Sequence, residues 1–339
     1  MRIMKLRFAA FVLSALFIVS SIPGGVHAAD LQHLRVSMAS QGTLYAPYTV
    51  AIEKGYYAQE GLALDVTIAS GGIATPALLS GSLDISTSNP SVISPALRGA
   101  PLKILYTMAS RSQNQLWSTS PEIKTVKDLK GKQVGVIARG DSFEISVKLL
   151  LQRLGLPLDY VNFTPLGNAN TLTATLISAS LPAVMTTDTD AEIARGTGAL
   201  AHSHLLFDMH KNLPMPYSGI AVTEQYLQTH RDTLHGFLRA TMKAVRYMRK
   251  YKPQTMTIVA KYSKITDPRV AEFDYNSALS ILTKDGTVPD DVLKSDLIVR
   301  ASLLDMTPSQ VPPVSKLYDY SIVKQANAEL DAEHWQPTP

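Results

Sequence analysis

From Leu34 onward, short runs of alternating apolar and polar residues take turns with helix-like segments. Apolar residues at every second position indicate strands, whereas spacings of three and four indicate helices. The pattern predicts strands at 34–39, 62–68, 83–87 and 102–109, and helices near 46–55, 73–80 and 91–98. Strands that alternate with helices in this way are typical of a parallel sheet covered by helices.

A second series of the same kind follows a turn-rich stretch. It predicts strands at 134–138, 160–166, 182–187 and 201–207, and helices near 142–154, 168–179 and 188–196. The two series also share a local pattern, because ALLSGSLDIST (77–87) matches TLISASLPAVM (175–185) at a helix-to-strand junction. We therefore predict an α/β fold of two similar, doubly wound lobes.

After Gly219 and a strand-like run, IAVT, the remainder of the chain is mostly helical. Apolar residues at helical spacing predict a helix over 231–251, which Pro253 should end. A helical block of this length most simply packs back on the first lobe, which makes that lobe discontinuous. The expected division is 29–112 with 219–339 for lobe I and 113–218 for lobe II, with crossovers near 110–115 and 215–220.

Prolines and small residues mark two further segments. NLPMPYSG (212–219) is expected to be the second crossover, with its prolines stiffening the connection. The final WQPTP is expected to be a loose tail.

Residues 1–28 are predicted to be a cleaved secretory signal peptide. Three basic residues precede the apolar run Phe8–Val19, and the segment closes on small residues up to Ala28. A membrane span would need about 20 apolar residues, and this run is shorter. We therefore expect the chain to be exported.

Export changes the charge balance. The signal carries three of the 32 Lys and Arg residues and none of the 28 Asp and Glu residues, so 29 basic and 28 acidic residues remain. No basic run is left that could follow a phosphate backbone, so nucleic acid is not an expected partner. The absence of cysteine excludes disulfides, thiolate chemistry and lipid attachment through cysteine. We expect a soluble monomer.

Polar residues collect in the loops after the predicted strands, where ligands sit in doubly wound sheets. These loops are SQGTLY (40–45), SGG (70–72), SNPS (88–91), RGDSF (139–143), GNAN (167–170) and TTDTD (186–190). Their hydroxyl, amide and carboxylate groups suit hydrogen bonding to a small polar molecule. Arg111, Trp117 and Tyr217 lie near the crossovers, where they would either contact a ligand or pack the hinge.

The RGDSF loop supports two further hypotheses. Free N–H groups at the start of the next helix would favour an anion, although Asp141 or Ser142 would compete for them as a cap. Gly140-Asp141-Ser142 also resembles the nucleophile motif of GDSL-type esterases, with Asp331 and His334 as partners. A secreted serine hydrolase is therefore the alternative function, although the Gly-x-Asn-Asp block of that family is absent.

Metal and nucleotide chemistry have little support. His202, His204, His210 and Asp208 could form a zinc cluster, but we expect these histidines to be solvated on the surface. The sequence has no P-loop, Gly-x-Gly-x-x-Gly or His-Glu-x-x-His motif. We expect neither a metal nor a cofactor.

A longer series of motifs resembles one family. APYTVAIEKGYYAQEGLALDV (46–66), GG, ALLSGSLDIST, VKDLKGKQVGV, the Gly and Ser of RGDS, and FLRATMKAVRYM are similar to the nitrate/sulfonate/taurine-type periplasmic solute-binding proteins of ABC importers, which share a domain with thiamine-pyrimidine-precursor binders. The resemblance spans about residues 34–290. It implies the type II periplasmic binding protein fold, with two hinge crossovers, and capture of a small solute for an inner-membrane permease without catalysis.

The same resemblance implies which residues contact the solute. In lobe I they are Gln41, Gly42, Tyr45, Gly72, Asn89 and Ser91. In lobe II they are Gly140, Asp141, Ser142 and Thr187, and Tyr217 would contribute from the hinge. Each would donate or accept hydrogen bonds, and Tyr45 would also be able to stack on the ligand.

The chain departs from the family pattern at SASLPAVMTTDTD (178–190). Pro182 replaces an Asp, and Asp188 stands near the family's acidic position without its Pro. The solute stays open among sulfonate, nitrate, aromatic carboxylate and pyrimidine, with Arg139 as a candidate anion clamp. A third hypothesis is an enzyme of thiamine-pyrimidine synthesis. Enzymes of that group have a Cys-rich motif, and this chain contains no cysteine.

Overall fold

The computed structural model describes residues 31–263 and 265–339, so the signal peptide predicted over 1–28 lies outside the described residues. The described chain contains two five-stranded sheets covered by helices. Its strands are β1 (Gln32–Met38), β2 (Leu62–Ile68), β3 (Ile85–Ser86), β4 (Leu102–Arg111), β5 (Asn114–Ser118), β6 (Gln133–Val136), β7 (Asn162–Pro165), β8 (Ala183–Thr187), β9 (His204–Asp208) and β10 (Pro214–Thr223).

The helices fill the intervals between these strands and the C-terminal part of the chain. They are α1 (Ala46–Glu53), α2 (Tyr56–Gln59), α3 (Gly71–Leu79), α4 (Asn89–Leu97), α5 (Ser142–Arg153), α6 (Ala169–Ser178), α7 (Asp188–Gly196), α8 (Met209–Asn212), α9 (Glu224–Thr229), α10 (Arg231–Lys250), α11 (Lys252–Tyr262), α12 (Pro268–Ile281), α13 (Asp290–Ser302), α14 (Val314–Leu317) and α15 (Ser321–Ala332). No helix in this part of the chain is both long enough and apolar enough to span a bilayer.

The two sheets have equivalent strand orders, which confirms the prediction of two doubly wound α/β lobes. The sheet of lobe I has the order β2-β1-β3-β10-β4, and that of lobe II has the order β7-β6-β8-β5-β9. In each, three parallel strands are followed by one that runs antiparallel to its neighbours. The two matching sequence segments end in β3 and β8, which hold the third position of their sheets.

The chain passes from lobe I to lobe II between β4 and β5 and returns between β9 and β10. Two details of these crossings differ from the prediction. Residues 114–118 form a strand, β5, where the sequence pattern predicted none, and NLPMPYSG lies mostly within β10 rather than in a loop. Each segment becomes a strand because it pairs with strands that are distant in sequence.

The helical remainder packs on lobe I, where α10 buries the apolar stripe that the sequence predicted. Pro253 follows α10, as predicted, and it lies in the first turn of the next helix, α11. The missing N–H of proline removes no helical hydrogen bond at that position. Tyr57, from the first motif of the family resemblance, is buried in the same core, and its hydroxyl lies 2.9 Å from that of Thr241 on α10.

The expected loose tail is instead docked on lobe I. The ring of Trp335 meets that of Tyr56 edge to face, with centroids 5.6 Å apart. The hydroxyl of Tyr251 donates to the carbonyl of Pro337 at 3.0 Å. The tail is held because its one large apolar side chain finds a place at the edge of the core.

Candidate functional site

A cavity of about 760 Å³ lies in the cleft between the lobes. Lobe I contributes the loop after β1 and the first turns of α3 and α4, and lobe II contributes the first turns of α5, α6 and α7. β10 and α12 close its remaining sides. The cavity therefore lies beyond the carboxyl ends of the parallel strands, where the sequence analysis expected a ligand.

Most of the predicted contact residues line this cavity. They are Gln41, Gly42, Tyr45, Ser91, Asp141, Ser142, Thr187 and Tyr217. The hinge residue Tyr217 reaches lobe II, because its hydroxyl lies 3.1 Å from Oγ of Ser142. Burial raises the pKa of Tyr217 to about 12, so its hydroxyl stays protonated and can donate.

Asp141 organises the start of α5 rather than presenting a free carboxylate. Its side chain accepts hydrogen bonds from the backbone N–H groups of Ile137, Ala138, Phe143 and Glu144, at 2.9 to 3.1 Å. Burial raises the pKa of Asp141 to about 6, and these N–H groups oppose the shift. The N–H groups that an anion would need are therefore already occupied, as the sequence analysis anticipated for a cap at this position.

Asn89 does not line the cavity. Its side-chain amide is buried and donates to the carbonyls of Tyr106 and Ser218, at 2.9 and 2.8 Å. Both carbonyls belong to the pair of strands, β4 and β10, that leads into lobe II. The structure thus gives Asn89 a role in holding the hinge strands, away from the solute.

Gly72 and Gly140 also lie outside the lining of the cavity. A Cβ atom on Gly72 would be 2.9 Å from the carbonyl of Arg139, so this glycine lets the two lobes approach each other. The N–H of Gly140 donates to Glu144 at 2.8 Å and is not available to a ligand. Neighbouring Gly71 lines the cavity instead.

Several polar residues that line the cavity were not among the predicted contacts, and they include Asn114, Asp190 and Asp274. Asp190 belongs to the TTDTD loop, which is one of the predicted ligand loops, but the residue predicted near the family's acidic position is Asp188. Asn114 lies on the strand that was not predicted. Asp274 lies on α12, and its position in a helix far along the chain gives no local signal of a site.

The two missed acids are fixed by hydroxyl groups. The hydroxyl of Thr187 donates to Asp190 at 2.8 Å, and that of Thr189 donates to Asp274 at 2.7 Å. Thr43 donates to Asp274 through both its N–H, at 3.0 Å, and its hydroxyl. Burial raises the pKa of both acids, and the charge of Asp274 raises that of Asp190 further.

Among the described residues, no Lys, Arg or His side chain lines the cavity. Arg139, the predicted anion clamp, turns away and donates to the carbonyl of Phe163 at 3.0 Å. Its guanidinium also lies 3.6 Å from Glu144. Its proposed role as a clamp is therefore not supported by its position.

The walls of the cavity are strongly apolar. Ile68, Ile73 and Ile177 line it with 51%, 64% and 39% of their surface exposed, and Tyr45 and Phe143 add aromatic rings. Large aliphatic side chains are rarely left this exposed next to one another without a partner. They can pack against the apolar faces of an organic molecule.

The hydrolase alternative is wrong in its geometry. Ser142 lies beside Tyr217, whereas the carboxylate of Asp331 pairs with Arg246 at 2.7 Å on the helical side of lobe I. His334 follows α15 there, next to the docked tail. A serine nucleophile would need its histidine within hydrogen-bonding reach.

The histidine proposed for a metal cluster and two of the residues near the crossovers are held by structural contacts. Nδ1 of His210 lies 3.3 Å from Asp188, and the described chain holds no group of three or more side chains arranged to bind a metal. Trp117 is buried in the core of lobe II, and Arg111 donates to the carbonyls of His210 and Lys211. Of the three aromatic and basic residues near the crossovers, only Tyr217 reaches the cavity.

Comparison with known sequences identifies the family. A family model described as "NMT1/THI5 like" matches residues 43–255, which is more than half of the chain. The chain belongs to the NMT1/THI5-like family. It is also 27% identical over 212 residues to the riboflavin-binding protein RibY of Chloroflexus aurantiacus, a match that covers 59% of this chain and 58% of the relative.

Solved structures show the same fold. A protein from Bordetella bronchiseptica RB50 superimposes with a TM-score of 0.79 at 21% identity, over 88% of this chain and 98% of its own. The ligand-binding component of an ABC-type import system from Staphylococcus aureus has a TM-score of 0.66 at 14% identity, over 87% and 99%. The periplasmic aliphatic sulphonate-binding protein SsuA from Escherichia coli has a TM-score of 0.62 at 19% identity, over 85% and 92%.

These similarities confirm the periplasmic binding protein fold for this chain. The desulfurization enzyme DSZB has the fold as well, with a TM-score of 0.59 at 16% identity, over 88% of this chain and 99% of the enzyme. The fold by itself therefore does not separate binding from catalysis, and the argument for function depends on the cleft.

Proposed function

We propose that this NMT1/THI5-like protein is the solute-binding component of an ABC importer and captures a small organic solute in the cleft between its lobes. The observation that carries the proposal is the cavity of about 760 Å³, which is lined by both lobes. The paired strands β4 and β10 form the hinge between those lobes. We assign residues 29–112 and 219–339 to lobe I and 113–218 to lobe II. The protein would work outside the cytoplasm, after removal of residues 1–28, and would pass its solute to an inner-membrane permease.

Binding would act on the equilibrium between open and closed lobes. A solute held by one lobe gains contacts from the other only when the cleft closes, so it favours the closed form. Predicted contacts from both lobes line the same cavity, among them Ser91 and Tyr45 of lobe I and Ser142 and Thr187 of lobe II. The protein would bind as a monomer and need no cofactor.

An organic solute fits this cleft better than nitrate does. Cavities of 300–1,000 Å³ are typical of sites for drug-sized molecules, and exposed isoleucines would remain in contact with water around a small inorganic ion. The relative RibY is named for riboflavin, whose flat ring system has an apolar dimethylbenzene edge and a polar pyrimidine edge. We therefore expect a solute with a flat or apolar body and several hydrogen-bonding groups.

The experiment combines thermal denaturation with small-angle X-ray scattering on the chain from residue 29. Riboflavin, aromatic carboxylates, sulfonates, pyrimidines and aromatic amines would be screened one at a time. A true solute raises the melting temperature, because it binds only the folded state, and reduces the radius of gyration. A panel in which no compound does either would contradict the proposal.

A further inference from the structure

The charges around the cavity narrow the class of solute, an inference that rests on the proposed function. We propose that lobe II and α12 form a subsite for a positively charged nitrogen group that carries several N–H donors, such as an amidinium or ammonium group. The side chains that would receive it are Asn114, Asp190 and Asp274. All three belong to the lining of the cavity, and each carries a side-chain oxygen that can accept a hydrogen bond.

Asp190 supplies a positioned carboxylate. Oγ1 of Thr187 donates to Oδ2 of Asp190 and accepts from its backbone N–H, at 2.8 and 3.0 Å. This reciprocal pair fixes the carboxylate at the first turn of α7. Asp190 makes no ion pair with any described residue.

Asp274 is more deeply buried, with only 4% of its surface exposed. Its partners in the described chain are neutral: the N–H and hydroxyl of Thr43 and the hydroxyl of Thr189. A buried carboxylate without a counter-charge is costly, and so is a second one nearby. A cation between Asp190 and Asp274 would relieve both costs.

Asn114 is the independent observation that points to a donor on the ligand. It is fully buried, and its Oδ1 has no hydrogen-bonding partner among the residues that the structure describes, although a buried amide oxygen is normally paired. Its orientation follows from Ser146. That hydroxyl gives its proton to the carbonyl of Ser142, so it must accept from Nδ2 of Asn114, which leaves Oδ1 free.

The positions of the acceptors agree with one subsite. Asn114 on β5 is directly opposite Thr187 on β8, so their side chains lie on the same face of the sheet. Thr187 in turn holds Asp190. An anionic head group would meet three oxygen acceptors here, whereas a group with several N–H donors would satisfy them.

Four small probes with the same ring and different heads test the charge preference by isothermal titration calorimetry: benzamidine, benzamide, benzoate and benzenesulfonate. Benzamidine should bind at least about tenfold more tightly than benzamide, because hydrogen bonds between charged groups are the stronger ones. The two anions should bind more weakly than benzamide. Benzoate or benzenesulfonate binding as tightly as benzamidine, or no binding of benzamidine at all, would overturn the inference.

Variants locate the subsite. Asp190→Asn keeps the shape and the bond from Thr187, and it should reduce the preference for benzamidine over benzamide by about tenfold. Asn114→Ala should weaken benzamidine binding as well. Asp65→Asn, at an exposed acid on β2 that pairs with His33, is the matched control and should change nothing. An unchanged preference in Asp190→Asn, with a normal melting curve, would overturn the inference.

Lys264 stands between Ser263 and Ile265, which line the cavity, and it lies outside the described residues. The variant Lys264→Gln therefore belongs to the test. Benzamidine should bind this variant at least as tightly as the parent. Anion binding that Lys264→Gln abolishes would overturn the inference while leaving the proposed function intact, as would tight binding of riboflavin without any binding of benzamidine.

Discussion

Thr189 and Asp274 join the two lobes directly, because the hydroxyl of Thr189 on α7 donates to the carboxylate of Asp274 on α12 at 2.7 Å. The other oxygen of Asp274 is held within lobe I by Thr43. One turn further along α12, Ser277 donates to Asp188, which also belongs to lobe II. The helix α12 therefore acts as a latch that joins the two lobes in this structure.

Removal of the latch should open the cleft. In Thr189→Val, the hydrogen bond to Asp274 is lost, and a bond to a charged group contributes about 1.5–3 kcal/mol. The closed fraction should fall, and the affinity for any solute should fall by about tenfold, because the competent state is less populated. Small-angle scattering and calorimetry measure the two effects.

Thr43→Val is the control for this prediction. It removes a bond to the same carboxylate, but within lobe I, so it should leave the scattering curve of the ligand-free protein unchanged. Equal opening in both variants would mean that the latch does not depend on the contact between lobes.

Gly219 should not tolerate a side chain. Its φ is +143°, and a Cβ atom would lie 1.9 Å from the carbonyl oxygen of Tyr106, in the strand paired with it. Gly219→Ala should therefore lower the free energy of unfolding by about 2–4 kcal/mol. Gly196→Ala, where a Cβ meets nothing within 4 Å, should change it by less than about 0.5 kcal/mol in chemical denaturation.

Acidification should weaken the binding of a cationic probe. Burial raises the pKa of Asp190 and Asp274, and nearby acids, including Asp188, raise them further. As the pH falls through these raised pKa values the carboxylates become neutral, so benzamidine affinity should decrease steadily with acidification. Calorimetry at several pH values should show a smaller decrease in Asp190→Asn.

The raised pKa values of Asp190 and Asp274 also determine how the free energy of unfolding changes with pH. At pH values between the unfolded-state and the folded-state pKa of each acid, the folded protein holds a proton that the unfolded chain releases. Their contribution to stability is therefore fully present at low pH and is lost as the pH rises through the folded-state pKa values. The double variant Asp190→Asn with Asp274→Asn should reduce this decline in urea titrations. A decline that is as steep in the double variant would assign it to other groups.

Ser142→Ala should leave ester hydrolysis at the background rate of the parent protein. Its hydroxyl lies beside Tyr217 and has no histidine among its hydrogen-bonding partners in the described chain. Turnover of short aromatic esters is the measurement, with His334→Ala as the companion variant. Turnover in the parent that both substitutions abolish would revive the hydrolase hypothesis.

Trp335→Ala should destabilise lobe I, because the ring fills the edge of its core against Tyr56. We expect a loss of about 2–3 kcal/mol in the free energy of unfolding, below that of a fully buried aromatic residue. Leu154→Ala, at a side chain 41% exposed in lobe II, is the comparison and should cost less. Equal losses would indicate that the tail contributes little.

The two lobes could be predicted from the sequence because local patterns indicate the order of their strands and helices. Each parallel strand and its helix follow one another along the chain, so apolar spacing and short turns are sufficient to identify them. The strand β5 was missed for the opposite reason. Its neighbours in the sheet, β8 and β9, come about seventy or more residues later in the chain. The residues Asn114–Ser118 contain no local pattern that would predict this pairing.

The candidate site divides in the same way. Tyr45, Ser91 and Ser142 were predicted because they follow strands in a known motif order, and all three line the cavity. Asp274 lies on a helix whose pattern predicts only a buried face, and it reaches the cavity through tertiary packing. Asn89 illustrates the converse, since a polar residue at the expected position is used to bind backbone carbonyls.

The pairing of β4 with β10 has a consequence for how the lobes can move. The two strands remain paired up to the crossing itself, where Tyr217 is opposite Ala109 and Pro214 is opposite Arg111. Two separate linkers would let one lobe twist and slide on the other. A single two-stranded ribbon instead favours rotation of the lobes about one hinge axis. We therefore expect every solute to close the cleft by the same rotation.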